Sequence, residues 1–278
     1  MLPRARKALG QHFLTDPHIL ARIAAALDPS ATDVVIEIGA GTGTLTRILA
    51  GRAGKVIAIE KDERLAEQCR VKNAECGVGN VEIVTADALK LDWPFVMLHS
   101  ALPSQHCKIA GNIPYNITTP LLERVVAVHP ERIVFLVQAE VADRIAAAPG
   151  SKIYGGLTVG IQTLCRVEKL FAVRAGSFIP PPRVHSAVIR LWPRAAPAVG
   201  DAEVAPFRTF VTACFSRRRK QLRTIVRAIG GEAAVPPVID AGLAALGLDP
   251  EARPETLAPE AFVRLWRWVL ASGGSIVK

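Results

Sequence analysis

Apolar and polar positions follow two rhythms along the first two-thirds of the chain. Short apolar runs recur at 33–39, 55–59, 81–85, 108–110 and 132–137. Between them lie segments with helical spacing of apolar residues: 17–27, a stretch opened by 40–46, then 63–74, 118–128 and 140–147. Apolar runs alternating with amphipathic segments predict a parallel sheet covered by helices. Asp16-Pro17 reads as an N-cap followed by proline at the first helical position. A helix is expected over 157–167, a β region over 169–173 and a closing, antiparallel strand over 184–191. Pro, Ala and Gly crowd 193–206 and predict a linker. Beyond it the pattern is helical at 206–215, 217–229, 236–246 and 259–270. The expected organisation is therefore a Rossmann-like α/β domain over 1–192 and a small α-helical domain over 193–278.

Composition narrows the class. The chain has 278 residues, half of them apolar and 21% charged, as in a globular protein. No apolar run reaches membrane-spanning length, and the basic N-terminus lacks the apolar core of a signal peptide. Cys69, Cys76, Cys107, Cys165 and Cys214 form no C-x-x-C pair, so reduced thiols and a cytoplasmic location are expected, with no metal. The net charge of +9 points to a polyanionic partner, nucleic acid before membrane. The excess is uneven: between Arg190 and Gly230 there are nine Lys or Arg against Asp201 and Glu203. Arg217, Arg218, Arg219, Lys220 and Arg223 form its densest part and are expected to touch phosphates, which gives affinity without sequence choice.

The candidate chemistry gathers where apolar runs end. The first runs into Gly39-Ala40-Gly41-Thr42-Gly43, whose glycines let backbone approach a ligand closely. The second ends at Glu60, placed to take ribose hydroxyls, and the third at Asp87, placed to accept from an adenine amine. The G-x-G-x-G spacing differs from the dinucleotide fingerprint, and Glu37 stands inside the first run. A carboxylate there disfavours a pyrophosphate and favours a cationic, methionine-derived sulfonium cofactor. The fourth run delivers Asn112-Ile113-Pro114-Tyr115. An exocyclic adenine amine is a poor nucleophile because its lone pair is delocalised into the ring. Acceptors on its two N–H bonds, the Asn112 amide oxygen and the Ile113 carbonyl, favour the pyramidal nitrogen. Pro114 stiffens the turn and Tyr115 offers a face for the base. Phe178, on the Pro-rich stretch 176–184, is expected to supply the opposite wall.

In order and spacing, G-Q-H-F-L, E-I-G-A-G-T-G-T-L-T, A-I-E, A-D-A, G-N-I-P-Y-N-I-T-T-P-L-L, V-Q-A-E-V-A-D-R-I, F-I-P-P-P-R-V-H-S and F-S-R-R-R-K-Q-L resemble the KsgA family of ribosomal RNA adenine dimethyltransferases over nearly the whole chain. The resemblance implies a seven-stranded methyltransferase sheet. It implies S-adenosylmethionine on His12, Leu14, Gly39, Gly41, Glu60, Asp87 and Asn112, and a target adenine between Tyr115 and Phe178. It further implies dimethylation at N6 of two adjacent adenosines near the 3′ end of small-subunit rRNA. The partner would be a pre-ribosomal particle, met by a monomer with a role in subunit assembly. His12 stands where many relatives carry Asn, Ala139 replaces a common Lys, and Gly156 and Gly160 replace bulkier residues, which is expected to loosen their helix. Three competing readings remain. One is an Erm-type enzyme acting on large-subunit rRNA and conferring macrolide resistance. The others are a non-catalytic RNA-binding or transcription factor on the same scaffold, and an N6-adenine DNA methyltransferase, which more often carries N-P-P-Y.

Overall fold

The computed structural model describes residues 3–6, 9–99, 106–229 and 235–272. Their elements run β1 (Phe13–Leu14), α1 (Pro17–Leu27), β2 (Val34–Ile38), α2 (Thr44–Ala50), β3 (Lys55–Glu60), α3 (Glu63–Glu75), β4 (Val81–Thr85), α4 (Trp93–His99), β5 (Cys107–Asn112), α5 (Thr118–Val126) and β6 (Arg132–Gln138). Then come α6 (Ala139–Ile145), α7 (Gly156–Leu164), β7 (Cys165–Val173), β8 (Phe178–Ile179), β9 (Ser186–Pro193), α8 (Asp201–Ser216), α9 (Leu222–Ile229), α10 (Pro236–Ala245) and α11 (Pro259–Ala271).

Seven strands form one sheet in the order β4-β3-β2-β5-β6-β9-β7. The first five are mutually parallel and β9 runs antiparallel to β6. All five residues of β2 are buried, as expected of a strand covered on both faces. Chain order reverses between β2 and β5, and a crevice opens beyond the carboxyl ends of strands at such a point. Register decides what stands there. Ile38 lies opposite Ile59 on one side and Gly111 on the other, so Gly39, Glu60 and Asn112 leave the sheet in one row. A Cβ on Gly111 would fall on the Ile38 carbonyl oxygen, so this close crossing requires glycine. Asp16 caps α1 by accepting from the amides of His18 and Ile19.

The chain divides into two compact units, Met1–Ala142 with Val167–Pro193, and Asp143–Arg166 with Arg194–Lys278. The expected division at 192/193 differs from this in one segment, 143–166. Within the second unit, Gln162 Nε2 donates to the carbonyls of Ile145 and Ala147, and Tyr154 donates to the Leu257 carbonyl. Phe207 meets Trp266 edge-on at 5.5 Å, and Phe215 stacks on Phe262 at 5.5 Å. The expected linker is shorter than 193–206. Helix α8 begins at Asp201 because Glu203 accepts the Gly200 amide at 2.9 Å, and Pro206 lies inside it. The basic run is not helical: α8 ends at Ser216 and α9 starts at Leu222. Four consecutive cations bring like charges together at helical spacing, which disfavours continuing the helix.

No helix among the described residues is long and apolar enough to cross a membrane. All five cysteines are free and only Cys76 is exposed. Burial pushes the thiols of Cys107, Cys165 and Cys214 up to about 12, which makes them poor nucleophiles.

Candidate active site

A cleft opens at the β2/β5 reversal. It is lined by the arm 9–13, by Gly39 and Gly41, by Glu60 and Lys61, by Ala86–Ala88 and by Asn112 to Ile117. The turn after β2 takes left-handed backbone at Gly39 (φ 78°), Gly41 (φ 55°) and Gly43 (φ 75°), where a side chain would be strained. A Cβ at Gly39 would press on the Asn112 carbonyl oxygen at 3.3 Å.

Glu60 is buried, and both of its oxygens work on the backbone. Oε2 accepts from the Gly41 amide at 2.9 Å and Oε1 from the Asp62 amide at 2.8 Å. Burial raises its pKa, and the two amides oppose that rise. Asp87 accepts from the Leu89 amide at 3.0 Å and pairs with Lys61 Nζ at 2.9 Å, and that lysine holds its carboxyl below the ordinary value. Glu37 is 1% exposed and lines a smaller cavity together with Gly39, Gly41, Leu14 and Asn112. One of its oxygens has no protein partner, and burial pushes the carboxyl up to about 8.

Asn112 ends β5 and donates its Nδ2 to the His12 carbonyl at 2.9 Å. That bond orients the amide and leaves its oxygen as an acceptor. The following turn is fixed by Ile113 N to the Leu136 carbonyl (3.1 Å), and by Ile117 N and Thr118 Oγ1, both donating to the Pro114 carbonyl. The Tyr115 hydroxyl meets Ser186 Oγ at 2.7 Å, which pins the ring. Burial raises its pKa.

Of the residues singled out in the sequence, the cleft brings together His12, Gly39, Gly41, Glu60, Asp87, Asn112 and Tyr115. Phe178 is not among them. Strand β8 pairs with β1, Leu14 opposite Phe178. Strand alternation then turns Phe178 inward (2% exposed) and Ile179 outward (49%). Phe178 packs in the core with Leu14, Leu20, Ile23 and Val188. The ring facing Tyr115 is instead His12, centroids 5.8 Å apart and planes at 23°. Its Nδ1–H points to the Pro180 carbonyl at 2.8 Å. Leu14 lines the smaller cavity and not the main cleft. Sequence reasoning passed over Lys61 and Gln11, both at the cleft. The Gln-His-Phe-Leu stretch, polar and aromatic where a plain leader would be bland, was the available signal for Gln11.

In the second unit Arg217, Arg219 and Lys220 are exposed. Arg218 donates to the Ser151 carbonyl at 3.2 Å and lies 3.7 Å from Glu255. Arg223 pairs with Glu251 at 3.5 Å and approaches Asp240. Two of the five basic residues are thus ion-paired inside their own unit, and Arg217 donates to the neighbouring Ser216 Oγ at 3.4 Å.

The donor set has a clear preference. The buried Glu60 beside the glycine turn disfavours a pyrophosphate, and a cationic group brought next to the buried Glu37 carboxyl would favour its ionised form. A carboxylate at each of two neighbouring strand ends suits the hydroxyls and amine of an adenosine. A methyltransferase cofactor with a cationic end fits these residues; a dinucleotide does not.

Comparison with known proteins agrees with this chemistry. The family model described as ribosomal RNA adenine dimethylase matches residues 3–263. A ribosomal RNA small subunit methyltransferase A from Geobacter sulfurreducens is 42% identical over 276 residues, covering 98% of each chain. One of the same name from Rhodospirillum rubrum is 42% identical over 275 residues, covering 97% of this chain and 89% of its own. Among solved structures, a dimethyladenosine transferase from Plasmodium falciparum superposes with a TM-score of 0.80 at 28% identity, covering 95% of this chain and 99% of its own. The 23S rRNA methyltransferase ErmE gives 0.70 at 29% identity, covering 92% and 99%.

Proposed function

From the premise that this chain belongs to the ribosomal RNA adenine dimethylase family, we propose that it transfers methyl groups from S-adenosylmethionine to N6 of two adjacent adenosines near the 3′ end of small-subunit rRNA. The observation that carries this reading is Asn112. Its amide is tethered by the His12 carbonyl in a cleft that also holds Glu60, Asp87 and Tyr115. The cofactor supplies an electrophilic methyl on a sulfonium. Glu60 and Asp87 are placed for its ribose and adenine, with Gly39 and Gly41 giving backbone access and His12 and Leu14 beside them. The Asn112 oxygen and the Ile113 carbonyl take the two N–H bonds of the target amine. They favour the nitrogen geometry in which its lone pair is available, and the fixed turn makes that arrangement before the base arrives. Tyr115, braced by Ser186, presents a ring face to the base. For the base to stack there, the His12 ring must give way, because 5.8 Å between centroids leaves no room for a third ring.

Arg217, Arg219 and Lys220 meet phosphates, while Arg218 and Arg223 shape that surface through their own ion pairs. The particle is a pre-ribosomal small subunit in the cytoplasm, engaged by a monomer. Support for the small subunit over the large comes from relatives that match nearly end to end at 42% identity under a small-subunit name. The likeness to ErmE keeps large-subunit rRNA as the second reading.

Replacing Asn112 with Ala tests the site. Transfer should fall by about 10²–10³-fold, the scale for removing one preorganised polar group, while particle binding is largely kept. Digestion of the product to nucleosides should give dimethyladenosine from the wild type only. Transfer at the wild-type rate would remove Asn112 from the mechanism.

A further inference from the structure

One side chain at the cleft has more partners than its local role needs. Asp62 follows β3 and caps α3, accepting from the Arg64 amide at 3.2 Å. An N-cap requires one oxygen and one amide. Asp62, whose side chain is completely shielded from solvent, does much more. Its Oδ2 accepts from Gln11 Nε2 at 3.2 Å and from Arg64 Nη2 at 2.8 Å. Its Oδ1 lies 3.5 Å from Arg6 Nη1. Gln11 is itself held, its Oε1 accepting from the Arg6 amide at 2.7 Å. On the other side, the Asp62 backbone amide donates to Glu60 Oε1. The arm and the buried Glu60 carboxylate therefore meet at one residue.

The geometry points to Asp62 as a positioning residue that ties the arm 9–13 over the cofactor half of the cleft and orients Glu60 by the same local structure. This rests on the cofactor reading given above. The tie extends further along the arm, because the carbonyl that fixes the Asn112 amide belongs to His12, next to Gln11. When the tie is intact, the arm forms a wall of the cleft, Glu60 is aimed and Asn112 is oriented. When it is cut, the cofactor loses its cover and the acceptor amide loses its anchor. A charge-assisted hydrogen bond network of this kind acts as a unit, so its members should not contribute additively.

The test measures S-adenosylmethionine dissociation from the full chain by stopped-flow, with KM and kcat for undermethylated small subunits. Asp62→Asn keeps a good N-cap but removes the charge. Gln11→Ala and Arg6→Ala cut the tie from the arm side and leave the α3 cap alone. Asp62→Asn and Gln11→Ala should each speed cofactor dissociation roughly tenfold, the scale of a lost hydrogen bond to a charged group, and raise KM for the cofactor. KM for the particle should stay within about twofold of wild type, well below that tenfold change. The double variant should be little worse than Asp62→Asn alone. Wild-type dissociation rates in both Gln11→Ala and Arg6→Ala would overturn the inference even if Asp62→Asn fails to fold, and so would simple additivity of the two substitutions. A wild-type chain that binds no S-adenosylmethionine would overturn the cofactor reading and this inference with it. Normal wild-type binding with insensitive variants would overturn this inference alone.

Discussion

Glu37 shows how much a single residue is shaped by where the strand places it. In β2 it is 1% exposed, and burial lifts its carboxyl from an ordinary 4.5 to about 8, with the neighbouring Glu60 adding to the rise. In the unfolded chain it titrates near the ordinary value. Between those two values the folded protein holds a proton that the unfolded chain has lost, so stability falls as pH rises from about 4.5 to about 8 and then levels. Glu37→Gln removes that dependence. Its advantage over wild type should grow across the window to as much as a few kcal/mol, on the order of the linkage expected for so large a shift. Urea midpoints at pH 5 and pH 8 check this; a difference that does not change with pH contradicts it. The acids and the amide at strand ends were legible in the sequence because an apolar run announces its own end. The inward turn of Phe178 was not legible, because which way a side chain points in a two-residue strand depends on its partner, here Leu14, and nothing local encodes that. The His12–Tyr115 stack joins residues 103 positions apart and was hidden for the same reason.

At the scale of elements, periodicity served well wherever a run was long. The five parallel strands, α1 and α3 fall within a residue or two of their sequence-based ranges. Strands β1 and β8, two residues each, carry no periodicity to read. The helix at 201 was hidden by prolines and alanines that looked like linker; its start depends on a side chain reaching back to Gly200. Helix α7 forms over nine residues despite Gly156 and Gly160. A Cβ at Gly160 would meet only Arg208 Cγ, at 4.0 Å. Gly160→Ala should therefore stabilise the protein by about 0.5–1 kcal/mol, the usual gain for relieving a helical glycine, read as a higher urea midpoint at unchanged slope. A lower midpoint would mean that α7 needs the glycine for packing. Gly111→Ala should do the opposite and cost several degrees of melting temperature, since its Cβ has nowhere to go between β5 and β2.

For the whole molecule, charge and architecture meet in the second unit. Composition located the basic excess but not its internal ion pairs, because those join Arg218 and Arg223 to acids 17 to 37 positions further along the chain, which only the packing of the C-terminal helices brings near. An apolar face on α7 tells that something covers it, not what. Exposed Arg217, Arg219 and Lys220 should bind phosphates, so replacing all three with Ala should weaken particle binding and reduce the salt slope by roughly two to three units. An unchanged slope, measured by binding at several salt concentrations, would place the RNA contact elsewhere. Arg218→Ala should instead act mainly on stability, through the Ser151 carbonyl and Glu255.

The activity assigned to the cleft at the β2/β5 reversal is dimethylation of adenosine in small-subunit rRNA. Its most direct test offers the wild-type protein labelled S-adenosylmethionine with undermethylated small subunits, naked large-subunit rRNA or adenine-containing duplex DNA, followed by digestion to nucleosides. Label should appear as dimethyladenosine from small subunits alone, mapped to two adjacent positions near the 3′ end. Label in large-subunit rRNA or DNA, or tight RNA binding with no label at all, would contradict it.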